Sequence, residues 1–243
     1  MRGGVLIIGS LLWDDRHRDL WRRSRLCISE KVHVRAPICY GRRSQRNWGN
    51  TFTMTLSADD PPGQATLVPC TAIIENIAGL IAEAEALWSA EHSNASQGSI
   101  GASWGCVGVL FRDESVHPDW SAAWAEHFHS KTSPVSPVDD RGILHIPWPL
   151  TASEARRVDV DVVLATATKA EDQRPSAADI ADAWLGQHNG HERYFFENVS
   201  HGIRTPDDVL IWRRIEERGP SWLRCRAYAE AVAILQAEAA QCG

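Results

Sequence analysis

The chain has few of the features that mark a membrane, nucleic-acid or nucleotide-binding protein. Its 243 residues contain no apolar run approaching the roughly 18 residues that a membrane-spanning helix needs. Lysine and arginine number 25 against 31 acidic residues, so the formal net charge is −6 and no broad basic field is available to hold phosphates. A basic run at residues 16–25 is interpreted as a solvated face. The sequence also lacks a Walker-type lysine motif and a GxGxxG motif. We therefore expect no nucleic-acid, membrane or nucleotide contacts.

Cysteine and histidine are present but are not arranged as metal ligands. The six cysteines are widely spread without a CxxC pair, which predicts reduced thiols and a cytoplasmic protein. Cys39, Cys70 and Cys106 fall on strand-like segments and are interpreted as small core residues. The densest histidine set is His117, His127 and His129, which lacks a carboxylate at a metal-binding spacing. The sequence predicts no metal and no cofactor.

Methionine, tyrosine and phenylalanine are scarce, whereas tryptophan is abundant. The chain has 11 Trp against 3 Tyr and 5 Phe, and its 44% hydrophobic content is ample for a folded core. We interpret Trp13, Trp88 and Trp104 as bulky walls that exclude water around a small pocket. A second set is expected to cover the site or to form a subunit contact, as in a homodimer: Trp120, Trp124 and Trp148.

Strand patterns dominate the first 112 residues. The continuously apolar run at residues 4–9 is typical of a central strand and ends at Gly9 and Ser10, where we expect a tight turn. Because Asp14 and Asp15 follow directly, this start is interpreted as a buried strand and not as a signal peptide. Other segments alternate in the manner of strands: residues 32–36, 51–56, 64–74, 104–111 and 158–164, the last with one wet face.

The clearest helical pattern runs from Asn76 to about Glu91. Its apolar side chains recur at helical spacing, and continuing that stripe leads to the carboxylate of Glu91. From periodicity alone, a frayed helix end with Glu91 in water explains the pattern equally well. Further helices are predicted from Ser176, with Asp179 as its capping partner, and from Ser221.

Four short motifs follow one another along the chain. They are GSLLW at residues 9–13, CYGRRS at 39–44, LWSAE at 87–91 and GHERYFFENVSHGI at 190–203. In this order they resemble the γ-glutamylcyclotransferase superfamily, most closely its ChaC-type branch. The resemblance covers roughly residues 5–112 and 158–212. It implies one α+β domain over 1–243, with a mixed, partly closed, barrel-like sheet flanked by helices and an insertion at about 113–157. Within that insertion, residues 130–142 are rich in Ser, Pro and Asp, which predicts an exposed connection.

The resemblance also implies an activity and a site. The free amine of a γ-glutamyl group attacks its own side-chain amide, so that an amine or amino acid is released and 5-oxoproline remains. Glu91 is the implied general acid/base, with Glu83 and Glu85 on the same helix as alternatives, and Arg42 or Arg43 falls at the family's arginine. The implied substrate-binding residues are Gly9, Ser10, Leu11, Arg43, Tyr194 and Asn198. The backbone N–H groups of the first three would hold the substrate's α-carboxylate.

Elementary chemistry agrees with these residue types. Ring closure is intramolecular, so holding the glutamyl chain folded supplies much of the rate. A carboxylate on an apolar helix face has a raised pKa and is therefore a better base for the substrate's ammonium than a solvated one. The reaction needs no metal or cofactor.

Two other functions are also compatible with the sequence. Ile7 and Ile8 stand where the family has an aromatic or glycine pair, so a phenol near the substrate is missing, which favours a non-catalytic member that binds a small carboxylate or a protein partner. A cysteine-dependent amidase acting on similar bonds is the third candidate.

Overall fold

The computed structural model describes residues 1–44, 51–113, 118–186 and 191–241. His117 and Gly190, which belong to predicted features, lie outside these ranges. The strands, which form one sheet, are β1 (Arg2–Ile7), β2 (Val32–Ser44), β3 (Thr51–Leu56), β4 (Pro62–Ile73), β5 (Gly101–Ala102), β6 (Gly105–Phe111), β7 (Leu150–Thr151) and β8 (Val162–Thr168). The helices are α1 (Asp19–Arg25), α2 (Ile77–Glu91), α3 (Pro118–Lys131), α4 (Ala177–Leu185), α5 (His191–Ser200), α6 (Asp208–Arg218) and α7 (Ala229–Gln241).

The predicted first strand does lie at the centre of the sheet. The strand order is β3-β2-β4-β1-β8-β6-β5, with β7 paired to β2. Val5 lies opposite Val68 of the antiparallel β4 and opposite Leu164 of the parallel β8. Both faces of β1 are covered, which explains why its apolar run shows no alternation.

The mixed α+β class is confirmed, with one mixed sheet of eight strands that is flanked by helices and is not closed. Among the described residues, no ladder joins β3 to β5 at the two ends of the sheet. The sheet does curl, because the Thr55 hydroxyl donates to the Thr168 carbonyl at 2.7 Å and the Glu171 N–H donates to the Gly41 carbonyl at 2.8 Å. Side-chain and single backbone bonds thus bring β2 and β3 beside the end of β8.

Helix α2 matches its prediction and points Glu91 toward this curled end of the sheet. Asn76 is the N-cap, since its side-chain oxygen accepts a hydrogen bond from the Gly79 N–H at 2.9 Å. Leu87 and Trp88 are fully buried, and Glu91 is the last helical residue. The capping box predicted for α4 is also present, between Ser176 and Asp179.

Two other predicted elements have different boundaries. Strand β8 begins at Val162 and lies between β1 and β6 inside the sheet, and all of its residues are buried. The predicted wet positions, Asp159 and Asp161, precede the strand: the Asp159 side chain is exposed, and Asp161 accepts a hydrogen bond from the Arg2 N–H at 2.8 Å. The predicted alternation of burial is therefore present at 158–162, but the strand itself has no wet face. The C-terminal helix starts at Ala229 and not at Ser221, since Cys225 is extended and separates two 3₁₀ turns.

The predicted connection at 130–142 is a largely exposed loop after the end of α3, but the insertion also packs against the sheet through a few buried residues of that loop. Val138 is 4% exposed, and the Trp124 indole donates to the Gly142 carbonyl at 3.0 Å. Gly142 has φ +76°, and a Cβ there would lie 2.5 Å from the Trp124 nitrogen. Trp124 therefore fills the core of the insertion. No helix in the described ranges is long and apolar enough to cross a membrane.

Candidate active site

A cavity of about 770 Å³ opens where β1 ends. The turn after β1, the C-terminal end of α2, the ends of β2 and β8, and the start of α5 contribute to its walls. Six of the predicted site residues line it: Gly9, Ser10, Leu11, Arg43, Glu91 and Tyr194. The fold therefore gathers motifs from both ends of the chain around one space.

The turn after β1 presents unused backbone donors to this cavity. The Leu12 N–H donates to the Gly9 carbonyl at 3.1 Å, and the Asp14 N–H donates to the Ser10 carbonyl at 2.9 Å. The N–H groups of Gly9, Ser10 and Leu11 donate no hydrogen bond to any residue in the described ranges. Successive unpaired N–H groups form a concavity suited to an anion such as a carboxylate.

Gly9 is favoured by a close approach and not by an unusual backbone conformation. Its φ is outside the left-handed region, and a Cβ there would lie 3.1 Å from the hydroxyl oxygen of Tyr194. That oxygen accepts a hydrogen bond from the Met54 N–H at 3.1 Å, which fixes the ring against β3. Helix α5 thus brings to the turn a phenol that the sequence lacks at Ile7 and Ile8.

Glu91 lies at the cavity wall in a largely dry environment. Its side chain is 16% exposed, and its Oε1 atom lies 3.9 Å from Nη1 of Arg42. Burial raises the pKa of the Glu91 carboxyl above its ordinary value, and the positive charges of Arg18, Arg42 and His17 oppose part of that rise. A carboxylate in this setting is a stronger base than one in water.

Of the two candidate arginines, Arg42 is the one that faces Glu91. Its guanidinium carbon lies 4.4 Å from the centre of the Trp104 ring, a cation–π contact that holds it beside the carboxylate. Arg43 also lines the cavity, but it stacks on Phe52 at 4.7 Å and lies 3.5 Å from a carboxylate oxygen of Glu171. The two arginines therefore serve different parts of the wall.

Two of the predicted tryptophans line the cavity, and the third tryptophan and Asn198 support them from outside it. Trp13 and Trp104 line the cavity, while Trp88 is fully buried and packs against Trp104 at 4.9 Å between ring centres. Asn198 does not line the cavity. It is fully buried and accepts a hydrogen bond from the Trp13 indole at 2.7 Å, so it braces the wall.

Sequence reasoning missed the buried arginines of the basic run. Arg18 and Arg22 are only 8% and 5% exposed, so the interpretation of residues 16–25 as a solvated face is wrong for them. Arg22 donates to the carbonyls of Leu11 at 2.8 Å and Asp14 at 3.0 Å. Arg18 pairs with the buried Asp14 carboxylate at 2.9 Å. The signal that could have revealed this is the Asp14 to Arg18 spacing, which matches an ion pair across one helical turn.

Glu83 and Glu85, the alternatives to Glu91, do not line the cavity. Glu83 pairs with Arg25 at 2.9 Å, and Glu85 lies 3.8 Å from His127. No described cysteine lines the cavity either, and burial raises the pKa of the Cys106 thiol to about 11. In the described ranges, no group of three or more His, Cys, Asp or Glu residues is placed to hold a metal ion.

Comparison of the chain with known protein families, curated proteins and solved structures finds no match. The function is therefore inferred from the cavity and from the residues around it.

Proposed function

We propose that this protein is a γ-glutamylcyclotransferase-like enzyme, which cyclises a γ-glutamyl amine or peptide to 5-oxoproline and releases the amine. One observation carries the proposal: the largely buried Glu91 carboxylate lines the same cavity as the unused N–H groups of Gly9, Ser10 and Leu11. A carboxylate-binding turn and a base of raised pKa are the two elements that this cyclisation needs.

In the proposed binding mode, the turn and Glu91 hold the two charged groups on the substrate's α-carbon, and the glutamyl side chain folds back so that its γ-carbonyl lies beside the amine. The substrate's α-carboxylate accepts hydrogen bonds from the N–H groups of the turn, which leaves its α-ammonium near Glu91. The Tyr194 hydroxyl, beside Gly9, orients the chain between them. Holding the amine against the γ-carbonyl converts the reaction into a well-oriented intramolecular step, a large source of rate.

Proton transfer through Glu91 completes the reaction. Glu91 takes a proton from the α-ammonium, and the resulting amine attacks the γ-carbonyl carbon. As the ring nitrogen–carbon bond forms, the original amide carbon–nitrogen bond breaks, and Glu91 returns the proton to the departing nitrogen. Glu91 then takes the second proton from the ring nitrogen, which becomes the lactam N–H, and this proton leaves with the released amine as an ammonium group. Burial raises the Glu91 pKa, and the positive charges of Arg18 and Arg42 oppose that rise, which favours the ionised form that a base requires.

The proposal is tested with purified protein and a panel of γ-glutamyl peptides and γ-glutamyl amines, with 5-oxoproline measured by mass spectrometry. We expect turnover by the natural chain and by Glu85→Gln, a matched control on the same helix outside the cavity. Glu91→Gln should lower kcat by at least roughly 100-fold, the lower end of the loss when a general base is removed. Absence of 5-oxoproline with every substrate, or an unaffected Glu91→Gln variant, would contradict the proposal.

The alternative of a non-catalytic carboxylate binder uses the same turn and predicts a different result. In that case 5-oxoproline or glutamate raises the melting temperature of the natural chain, and no panel member is consumed. The position of Tyr194 counts against this alternative, because the phenol whose absence at Ile7 and Ile8 suggested it is present at the turn.

A further inference from the structure

Arg18 contacts both of the segments that the proposed reaction needs side by side, the turn after β1 and the end of α2. On one side, its Nη1 donates to the Ser10 hydroxyl at 2.9 Å. On the other, its Nε donates to the carbonyl of Ala90, the residue before Glu91, at 3.1 Å. Its planar guanidinium therefore spans from the carboxylate-binding turn to the last turn of α2.

The surroundings of Arg18 keep it fixed and charged. The same Nη1 donates to Asp14 at 2.9 Å, and Asp14 is 3% exposed. Burial alone would raise the pKa of Asp14, but hydrogen bonds and positive charge from Arg16 and Arg18 outweigh it and lower that pKa. Asp14 is therefore ionised at neutral pH, and its carboxylate holds the Arg18 guanidinium in place.

We propose that Arg18 is a positioning residue, which holds Glu91 in register with the Gly9–Leu11 turn by bridging Ser10 and Ala90. This inference rests on the proposed function, because it assigns Arg18 a role through Glu91. Lysine cannot replace it fully, since an ammonium lacks the forked, planar donor set that reaches three acceptors at once.

The pKa of Glu91 also depends on the position of the Arg18 side chain. The groups that face Glu91 are Arg18 and His17 from the segment before and into α1, Arg42 from β2 and Tyr194 from α5. His17 also reaches the Ala90 carbonyl, at 2.9 Å. Removal of the Arg18 cation should therefore raise the pKa of Glu91, while its replacement by lysine should leave that pKa nearly unchanged.

The test compares Arg18→Lys and Arg18→Met with Arg23→Met, a control that removes an exposed arginine from α1, the helix that Arg18 directly precedes. Two quantities are measured: kcat for 5-oxoproline formation, and the pKa of the Glu91 carboxyl by ¹³C NMR, with the resonance assigned through Glu91→Gln. We expect Arg18→Lys to lower kcat roughly 10- to 100-fold, the cost of misplacing a reacting group. Arg18→Met should additionally raise the Glu91 pKa, and the control should change neither quantity.

If Arg18 serves only the stability of the fold, both Arg18 variants should have a lower melting temperature. The kcat and the Glu91 pKa of the folded protein should then be unchanged, and this result overturns the proposal. If Arg18→Met fails to fold, the kcat of Arg18→Lys decides, and wild-type turnover in that variant overturns it. If the natural chain forms no 5-oxoproline, the proposed function fails separately. The NMR comparison then decides whether Arg18 lies beside Glu91, the placement on which the bridging role depends: a raised Glu91 pKa in Arg18→Met supports that placement, and an unchanged one overturns it and the proposal with it.

Discussion

At the residue scale, the burial that makes Glu91 a stronger base should also lower the free energy of unfolding at neutral pH. Because burial raises its pKa above the unfolded value, the folded protein loses stability as pH rises through the range between the two values. Glu91→Gln removes this penalty, so the variant should be more stable than the natural chain at about pH 8, with little difference at about pH 4. Each unit of raised pKa corresponds to about 1.4 kcal/mol. Urea unfolding at both pH values measures the effect, and an equal difference at the two would contradict it.

The contact between Gly9 and Tyr194 gives a second prediction at this scale. In Gly9→Ala, the new Cβ would lie 3.1 Å from the Tyr194 hydroxyl and should displace it, lowering kcat/KM by roughly 10-fold. Tyr194→Phe removes the hydroxyl and with it the clash. A double-mutant cycle should therefore show that Gly9→Ala costs little in the Tyr194→Phe background. Strictly additive losses would show that the two residues act independently.

At the element scale, the N-terminal cap of α2 and the base at its other end are separable. The 15 residues of the helix place Asn76 roughly 22 Å from Glu91. Asn76→Ala removes the side-chain acceptor of the Gly79 N–H and should cost about 1 kcal/mol of unfolding free energy. Because the C-terminal turn of the helix is held by Arg18, kcat should not change. A loss of activity in a folded Asn76→Ala variant would show that the whole helix shifts.

How far elements can be predicted from sequence depends on where their partners lie. The 51–56 strand and the 76–91 helix follow from alternation, periodicity and a cap, which are local, and both match the structure. The start of β8 was misplaced because Asp161 pairs with distant Arg2 and Arg112, and local alternation cannot show this. For the same reason the inward direction of Arg18 was missed, since its partner Ala90 lies 72 residues away.

The candidate site divides in the same way. Glu91 could be singled out because an apolar stripe leads to it, and the Gly9–Leu11 turn because it ends a buried strand. Their meeting in one cavity depends on how α2 packs beside the sheet, which no single segment encodes. The role of Gly9 was only partly understood from the sequence, because the neighbour that demands a glycine is Tyr194, which follows it by 185 positions.

At the scale of the whole molecule, the sheet runs through one extensive hydrophobic core. Fully buried tryptophans report on its separate parts: Trp88 in α2, Trp124 in the insertion and Trp184 in α4. The predicted single-domain organisation should therefore appear as one cooperative transition in urea. Tryptophan fluorescence and far-ultraviolet circular dichroism should give coincident curves. An earlier fluorescence step, abolished by Trp124→Phe, would instead show that the insertion unfolds as a separate unit.

The central claim is that the turn after β1 holds the α-carboxylate, and Glu91 the α-amino group, of one γ-glutamyl substrate. The most direct measurement is a crystal structure of Glu91→Gln with a γ-glutamyl peptide bound, since this variant should bind the substrate without consuming it. The account predicts that the substrate's α-carboxylate accepts hydrogen bonds from the N–H groups of residues 9–11 and that its α-amino group contacts the side chain of residue 91. A peptide bound in the opposite direction, or outside this cavity, would contradict it.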